Sequence, residues 1–162
     1  TVIARTLGLN WDEIREGGAS FQPPKGRCEV KNKGSITIID DTYNANLEST
    51  IAAIDYLKAF SGNGQRIFVF GDMFELGALS QDQHRRVGEK CNEAELSAVF
   101  TVGDETVATD AVITQTKVHA HFDNKVDLLT SLKSILNNDD KILVKGSRGM
   151  EMETIVEAML EA

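Results

Sequence analysis

Residues 36–46 read Ile36-Thr37-Ile38-Ile39-Asp40-Asp41-Thr42-Tyr43-Asn44-Ala45-Asn46. A β-branched apolar run ends in acids and amides, immediately before a helical pattern. Continuous rather than alternating apolar residues suit a parallel strand covered on both faces. Ile51, Ile54, Leu57 and Phe60 follow at the spacing of one helix face. The unit is therefore strand, polar turn, helix.

The same unit recurs along the chain. Further strands are expected at Ile67–Phe70, Ala98–Val102, Val118–Phe122 and Ile142–Val144. Helical faces follow at Val107, Ala108, Ala111 and Val112, at Leu128, Leu129, Leu132, Ile135 and Leu136, and at Met152, Ile155, Val156, Met159 and Leu160. A further helix opens with Ser80-Gln81-Asp82-Gln83, a capping-box pattern. Such alternation predicts an α/β, Rossmann-like doubly wound sheet, mostly parallel. Residues 27–31 and 35–40, around Asn32-Lys33-Gly34, predict an N-terminal antiparallel hairpin at one edge.

Upstream, residues 1–19 read as helical. Asn10 is placed to cap a turn carrying Asp12 and Glu13, and Gly17-Gly18 is expected to end it. Pro23-Pro24 lies in a linker, Phe21 to Gly26, that cannot continue a helix. The boundary falls there, giving segments 1–25 and 26–162. Thr1 to Leu9 has no leader signature, and the chain opens within a helical pattern without Met. We therefore expect a cytoplasmic piece of a longer protein.

Composition narrows the function classes. The 162 residues are 41% hydrophobic and 26% charged, ordinary for a soluble globular chain. A net charge of −8 with no Lys/Arg run argues against nucleic acid or an anionic membrane as partner. No apolar run approaches the length of a membrane span. Cys28 and Cys91 match no metal spacing and read as two reduced thiols.

In doubly wound sheets, ligands gather at the carboxyl ends of the strands. Those ends here carry Asp40 to Asn46, Gly71-Asp72-Met73, Gly103-Asp104, Asp123 and Lys145-Gly146-Ser147-Arg148-Gly149. Asp104 and Asp123 read as helix caps. Lys145 to Gly149 serves either as an anion cradle or as a plain strand-to-helix turn. The adjacent acids Asp40 and Asp41 suggest a metal, a sugar hydroxyl or an acid–base pair. His119 and His121 share one strand face without a third ligand, and His84 reads as structural, so no metal site is expected. No GxxxxGK[ST], GxGxxG or HExxH occurs. Three readings stay open at this level. One is a phosphoacceptor receiver built on Asp41, Asp72, Thr101 and Lys145. Another is a nucleotide-contacting domain that completes a site on a neighbouring domain, and the last is a bare interaction scaffold.

Four motifs in order sharpen the choice: Asp40-Asp41-Thr42-Tyr43-Asn44-Ala45-Asn46, Gly71-Asp72-Met73-Phe74-Glu75-Leu76-Gly77, His84-Arg85-Arg86-Val87-Gly88 and Leu143-Val144-Lys145-Gly146-Ser147-Arg148. Together they resemble the C-terminal domain of the Mur ligases from about Gly26 onward. Residues 1–25 resemble the tail of that family's central domain. The resemblance implies an ATP-dependent amide-forming ligase of peptidoglycan precursor synthesis, acting on UDP-N-acetylmuramoyl-tripeptide and D-alanyl-D-alanine through an acyl phosphate. It implies ATP contacts by Arg27, Asp41, Tyr43, Asn44 and Asn46, with Lys145, Ser147 and Arg148 on the dipeptide side. The phosphate loop and Mg²⁺ ligands would come from the central domain, so no residue of this chain is expected to be catalytic alone. Leu47 departs from the family's usual proline, leaving Asn46 to cap the helix.

Overall fold

The computed structural model describes residues 2–21 and 23–161; Thr1, Gln22 of the linker and Ala162 lie outside the described residues. Two short helices come first, α1 (Val2–Thr6) and α2 (Trp11–Ser20). The Asn10 side chain accepts from the Asp12 and Glu13 amides, and Glu13 returns a bond to the Asn10 N–H. That reciprocal cap carries the helix through Gly17 and Gly18, which do not break it. Glycine costs about 1 kcal/mol within a helix, a penalty rather than a stop. Neither helix buries a residue: Val2, Ile3, Leu7, Trp11 and Phe21 are all exposed.

Among the described residues the strands form one six-stranded sheet. They are β1 (Glu29–Lys33), β2 (Ile36–Asp41), β3 (Arg66–Gly71), β4 (Ala98–Val102), β5 (Val118–Phe122) and β6 (Lys141–Lys145). Their order is β1-β2-β6-β3-β4-β5, antiparallel between β1 and β2 and parallel elsewhere. The expected edge hairpin is present. Its turn is displaced from Asn32-Lys33-Gly34 to Gly34-Ser35, because Lys33 pairs with Ile36 and only Gly34 takes positive φ without strain.

Helices cover both faces. On one lie α3 (Leu47–Ala59), α4 (Ser80–Ala94) and α5 (Val107–Asp110), packed on Ile39, Phe68, Phe70, Val99 and Leu143. On the other, α6 (Lys125–Ile135) and α7 (Glu153–Glu161) pack on Ile38, Ile67, Val69, Ile142 and Val144. Successive strand residues thus feed opposite cores, which is why the apolar runs are continuous. Met152 and Met159 fill the second core, as the sequence suggested. Cys91 is sealed in the first, and burial pushes its thiol up to about 12.

Three expected caps do not form. A 3₁₀ turn, Gly77–Leu79, leads directly into α4, so Ser80 is already helical and its hydroxyl donates to Glu105 instead of closing a box with Gln83. Asp104 and Asp123 are exposed and cap nothing. Asn124 caps α6. Before α5, the Glu105 and Thr106 amides donate to Asp72, reaching over from β3. Among the described residues no helix is long and apolar enough to cross a membrane.

Candidate functional site

Two clefts open at the carboxyl ends of β2, β3 and β6, sharing residues 43–46 as a wall. The first, about 400 Å³, is bounded by Arg27, Cys28, Asp41, Tyr43, Asn46 and Lys145, with Asn44, Ala45 and the first turns of α3. The second, about 560 Å³, lies between that wall, Phe74-Glu75-Leu76 and Ser147-Arg148-Gly149. Both are of small-ligand size.

Strand geometry fills the first cleft. Asp41 and Lys145 are register partners on parallel neighbours, so their side chains leave the sheet on the same face. The Lys145 ammonium donates to Asp41 Oδ2 at 2.6 Å and to the Asn44 carbonyl at 2.9 Å. The Cys28 amide donates to Asp41 Oδ1 at 3.0 Å. Burial and the Asp41 carboxylate push the Cys28 thiol up to about 11, so it is no thiolate near neutrality. Asp40, one residue earlier, points to the opposite face, where Lys31 and Thr42 hold it.

Above this floor, the Arg27 guanidinium lies 4.1 Å from the centre of the Tyr43 ring, a stacking contact that orients the cation without consuming its N–H groups. Gly26 sets up the pair. Its φ of +70° lets its carbonyl accept from the Tyr43 amide, and a Cβ there would sit 3.2 Å from that nitrogen. Asn46 caps α3 as expected despite Leu47, with Oδ1 accepting from Ser49. Asn44 Oδ1 accepts from Ala45. Each amide oxygen is therefore occupied, and the N–H₂ group of each is what can meet an acceptor in the cleft. With Arg27 and the N-terminus of α3, the cleft is rich in donors over one carboxylate, which suits an anionic ligand bearing hydroxyls.

The second cleft is held by ties between strand ends. Ser147 is buried; its hydroxyl accepts from the Phe74 amide at 2.8 Å, and its amide donates to the Asp72 carbonyl at 2.9 Å. Arg148 is exposed and pairs with Glu153 at 2.8 Å. His84 is fully buried. Its Nε2 accepts from the Met73 amide, and its Nδ1 donates to the Ser80 carbonyl, which fixes the tautomer and fastens the 72–76 loop to α4. The structural reading of His84 thus stands.

The first cleft gathers Arg27, Asp41, Tyr43, Asn44 and Asn46. Lys145 joins them there, not Ser147 and Arg148, which border the second cleft. Sequence reasoning gave no role to Cys28, Ser49 or the Phe74-Glu75-Leu76 wall, although the last lies within a quoted motif. Glu75 takes positive φ at 64°, for which its side chain gives no signal.

The receiver reading fails on geometry. Asp40, Asp41 and Asp72 face three different surroundings, and each is already bonded. Among the described residues no group of three His, Cys, Asp or Glu side chains is arranged to hold a metal. His119 binds Asp110 and His121 binds Thr101, each separately.

The family model described as "Mur ligase, glutamate ligase domain" matches residues 26–148. The UDP-N-acetylmuramoyl-tripeptide–D-alanyl-D-alanine ligase of Escherichia coli is 36% identical over 162 residues, covering 98% of this chain and 35% of that protein. Its Bacillus subtilis namesake is 35% identical over 160 residues, covering 96% and 35%. The MurF ligase of Thermotoga maritima, solved in complex with ADP, superposes with a TM-score of 0.78 at 30% identity, over 99% of this chain and 35% of that one. The chain thus spans about a third of the length of the curated relatives it matches. Motif order, sheet topology and these similarities agree: the chain belongs to the Mur ligase family, as its C-terminal domain.

Proposed function

We propose that this chain is the closing domain of an ATP-dependent ligase that joins D-alanyl-D-alanine to UDP-N-acetylmuramoyl-tripeptide in the cytoplasm. The observation that carries this reading is the pair of clefts sharing the 43–46 wall, in a chain about a third identical to ligases of that name. The first cleft takes the nucleotide. Asp41 accepts from its ribose hydroxyls, while Arg27 and the amides of Asn44 and Asn46 meet phosphate oxygens, with Tyr43 holding Arg27 in place. The second takes the dipeptide, whose carboxylate suits Arg148 and the Ser147 hydroxyl proton.

The chemistry then runs where two domains meet. The tripeptide carboxylate oxygen attacks the γ-phosphorus, and ADP leaves. The dipeptide amine attacks the resulting acyl phosphate, loses a proton, and expels phosphate as the amide bond forms. Aligning the amine with the acyl carbon is the closing domain's contribution. Mg²⁺, which would neutralise phosphate charge, would be held by the central domain; among the described residues no group of three His, Cys, Asp or Glu side chains is arranged to hold it. Residues 1–25 form the tail of that central domain: the exposed apolar side chains of Val2, Ile3, Leu7 and Trp11 suit a surface packed against it.

A divided site makes a clear forecast. Calorimetric titration of this chain alone with ATP gives at best millimolar affinity and no hydrolysis. Tight stoichiometric binding overturns the reading.

A further inference from the structure

We infer that Lys145 works on the nucleotide side of the site, as a positioning residue that holds the Asp41 carboxylate, and does not contact the dipeptide. The inference rests on reading the first cleft as the nucleotide's. Lys145 is 1% exposed, an uncommon state for lysine that requires a charge partner. That partner is Asp41, 2.6 Å away, and a second bond to the Asn44 carbonyl fixes the ammonium between strand end and loop wall.

The carboxylate is thereby immobilised from two sides, with Lys145 on Oδ2 and the Cys28 amide on Oδ1. A carboxylate offers about four lone-pair sites. Two are spent within the protein, leaving two for vicinal hydroxyls in the cleft. Without Lys145, the anion would have only one anchor and would turn.

Connectivity separates Lys145 from the residues that follow it. At Gly146 a Cβ would lie 2.7 Å from Met152 Cγ and 3.3 Å from the Gly71 Cα. The chain passes tightly between them, and Ser147 and Arg148 emerge in the second cleft while the Lys145 side chain stays in the first.

The test uses the complete ligase with Lys145→Met, Asp41→Asn and the double variant, reading KM for ATP and for D-alanyl-D-alanine separately. Lys145→Met raises the ATP KM about tenfold and leaves the dipeptide KM within about twofold. In the Asp41→Asn background the same change costs less than about threefold, because coupled residues are not additive. A purely structural lysine would raise both KM values together. A rise in the dipeptide KM, or full multiplication in the double variant, overturns the inference alone. An Asp41→Asn enzyme with unaltered ATP KM overturns the nucleotide reading of the cleft, and the inference with it. If Lys145→Met does not fold, Lys145→Gln keeps an N–H toward Asp41 and carries the same forecast in the same direction, with the same overturning result.

Discussion

Each end of the central sheet buries an aspartate close to a lysine, Asp140 with Lys141 and Asp41 with Lys145, and the two ends use them in opposite ways. At the amino end, Asp140 is fully buried and accepts from the Gln65 amide, the Gln65 side chain and the Asn137 amide. Its neighbour Lys141 donates to the carbonyls of Asn63 and Asp139. Each ion is closed in by groups of its own turns, and neither borders a cleft described above. At the carboxyl end, Asp41 and Lys145 bind each other and still border open space. Burial of charge serves stability where every partner is internal. It prepares a site where lone pairs remain facing a cleft.

The sharpest way to break this contrast is Asp140→Ala, which takes the acceptor away from two backbone N–H groups and one side-chain N–H at the partly buried amino end. We expect a loss of about 3 kcal/mol, which is roughly 6–12 °C in melting temperature for a chain of this size. The ATP KM of the complete ligase should not move. A melting temperature within 2 °C of wild type (about the effect of half a kcal/mol) would remove Asp140 from the scaffold.

Gly103→Ala probes the buried rim acid Asp72, which holds the turn ahead of α5 instead of facing a cleft. The added Cβ would lie 2.5 Å from the Asp72 carboxylate, at a φ of +114°. About 2 kcal/mol should be lost through strain and the displaced Asp72 bonds to the turn ahead of α5. Denaturant unfolding reads the value, and equal stability would contradict the role given to Asp72.

The smallest effect concerns Cys28. Its thiol is held above its ordinary value by burial and by Asp41, so the folded chain keeps a proton that a free thiol loses near pH 9. Alkylation by iodoacetamide should be slow at pH 8 and rise only toward pH 11. In Asp41→Asn the rise should begin at lower pH. Identical profiles for the two proteins would show that the carboxylate does not act on the thiol.

Much of this architecture was legible. Apolar runs with helical spacing between them located β2 to β6, and Asn46 read correctly as the cap of α3. Alternation along a strand also implies that Asp40 and Asp41 diverge, a signal the paired-carboxylate reading passed over. What stayed hidden depends on strand order. Asp41 and Lys145 are 104 positions apart and meet only because β6 inserts between β2 and β3. Asp72 holds the turn ahead of α5 from the end of another strand, where local sequence offered Asp104 as a cap. Ser80 resembled a cap because a 3₁₀ turn ahead of it leaves no local mark.

The central claim is that the first cleft is the nucleotide half of a site completed by another domain. Steady-state kinetics of Asp41→Ala in the complete ligase address it most directly. Losing a charged hydrogen-bond acceptor is worth about 1.5–3 kcal/mol, so kcat/KM for ATP should fall roughly 10- to 100-fold. An unchanged dependence on ATP would contradict it.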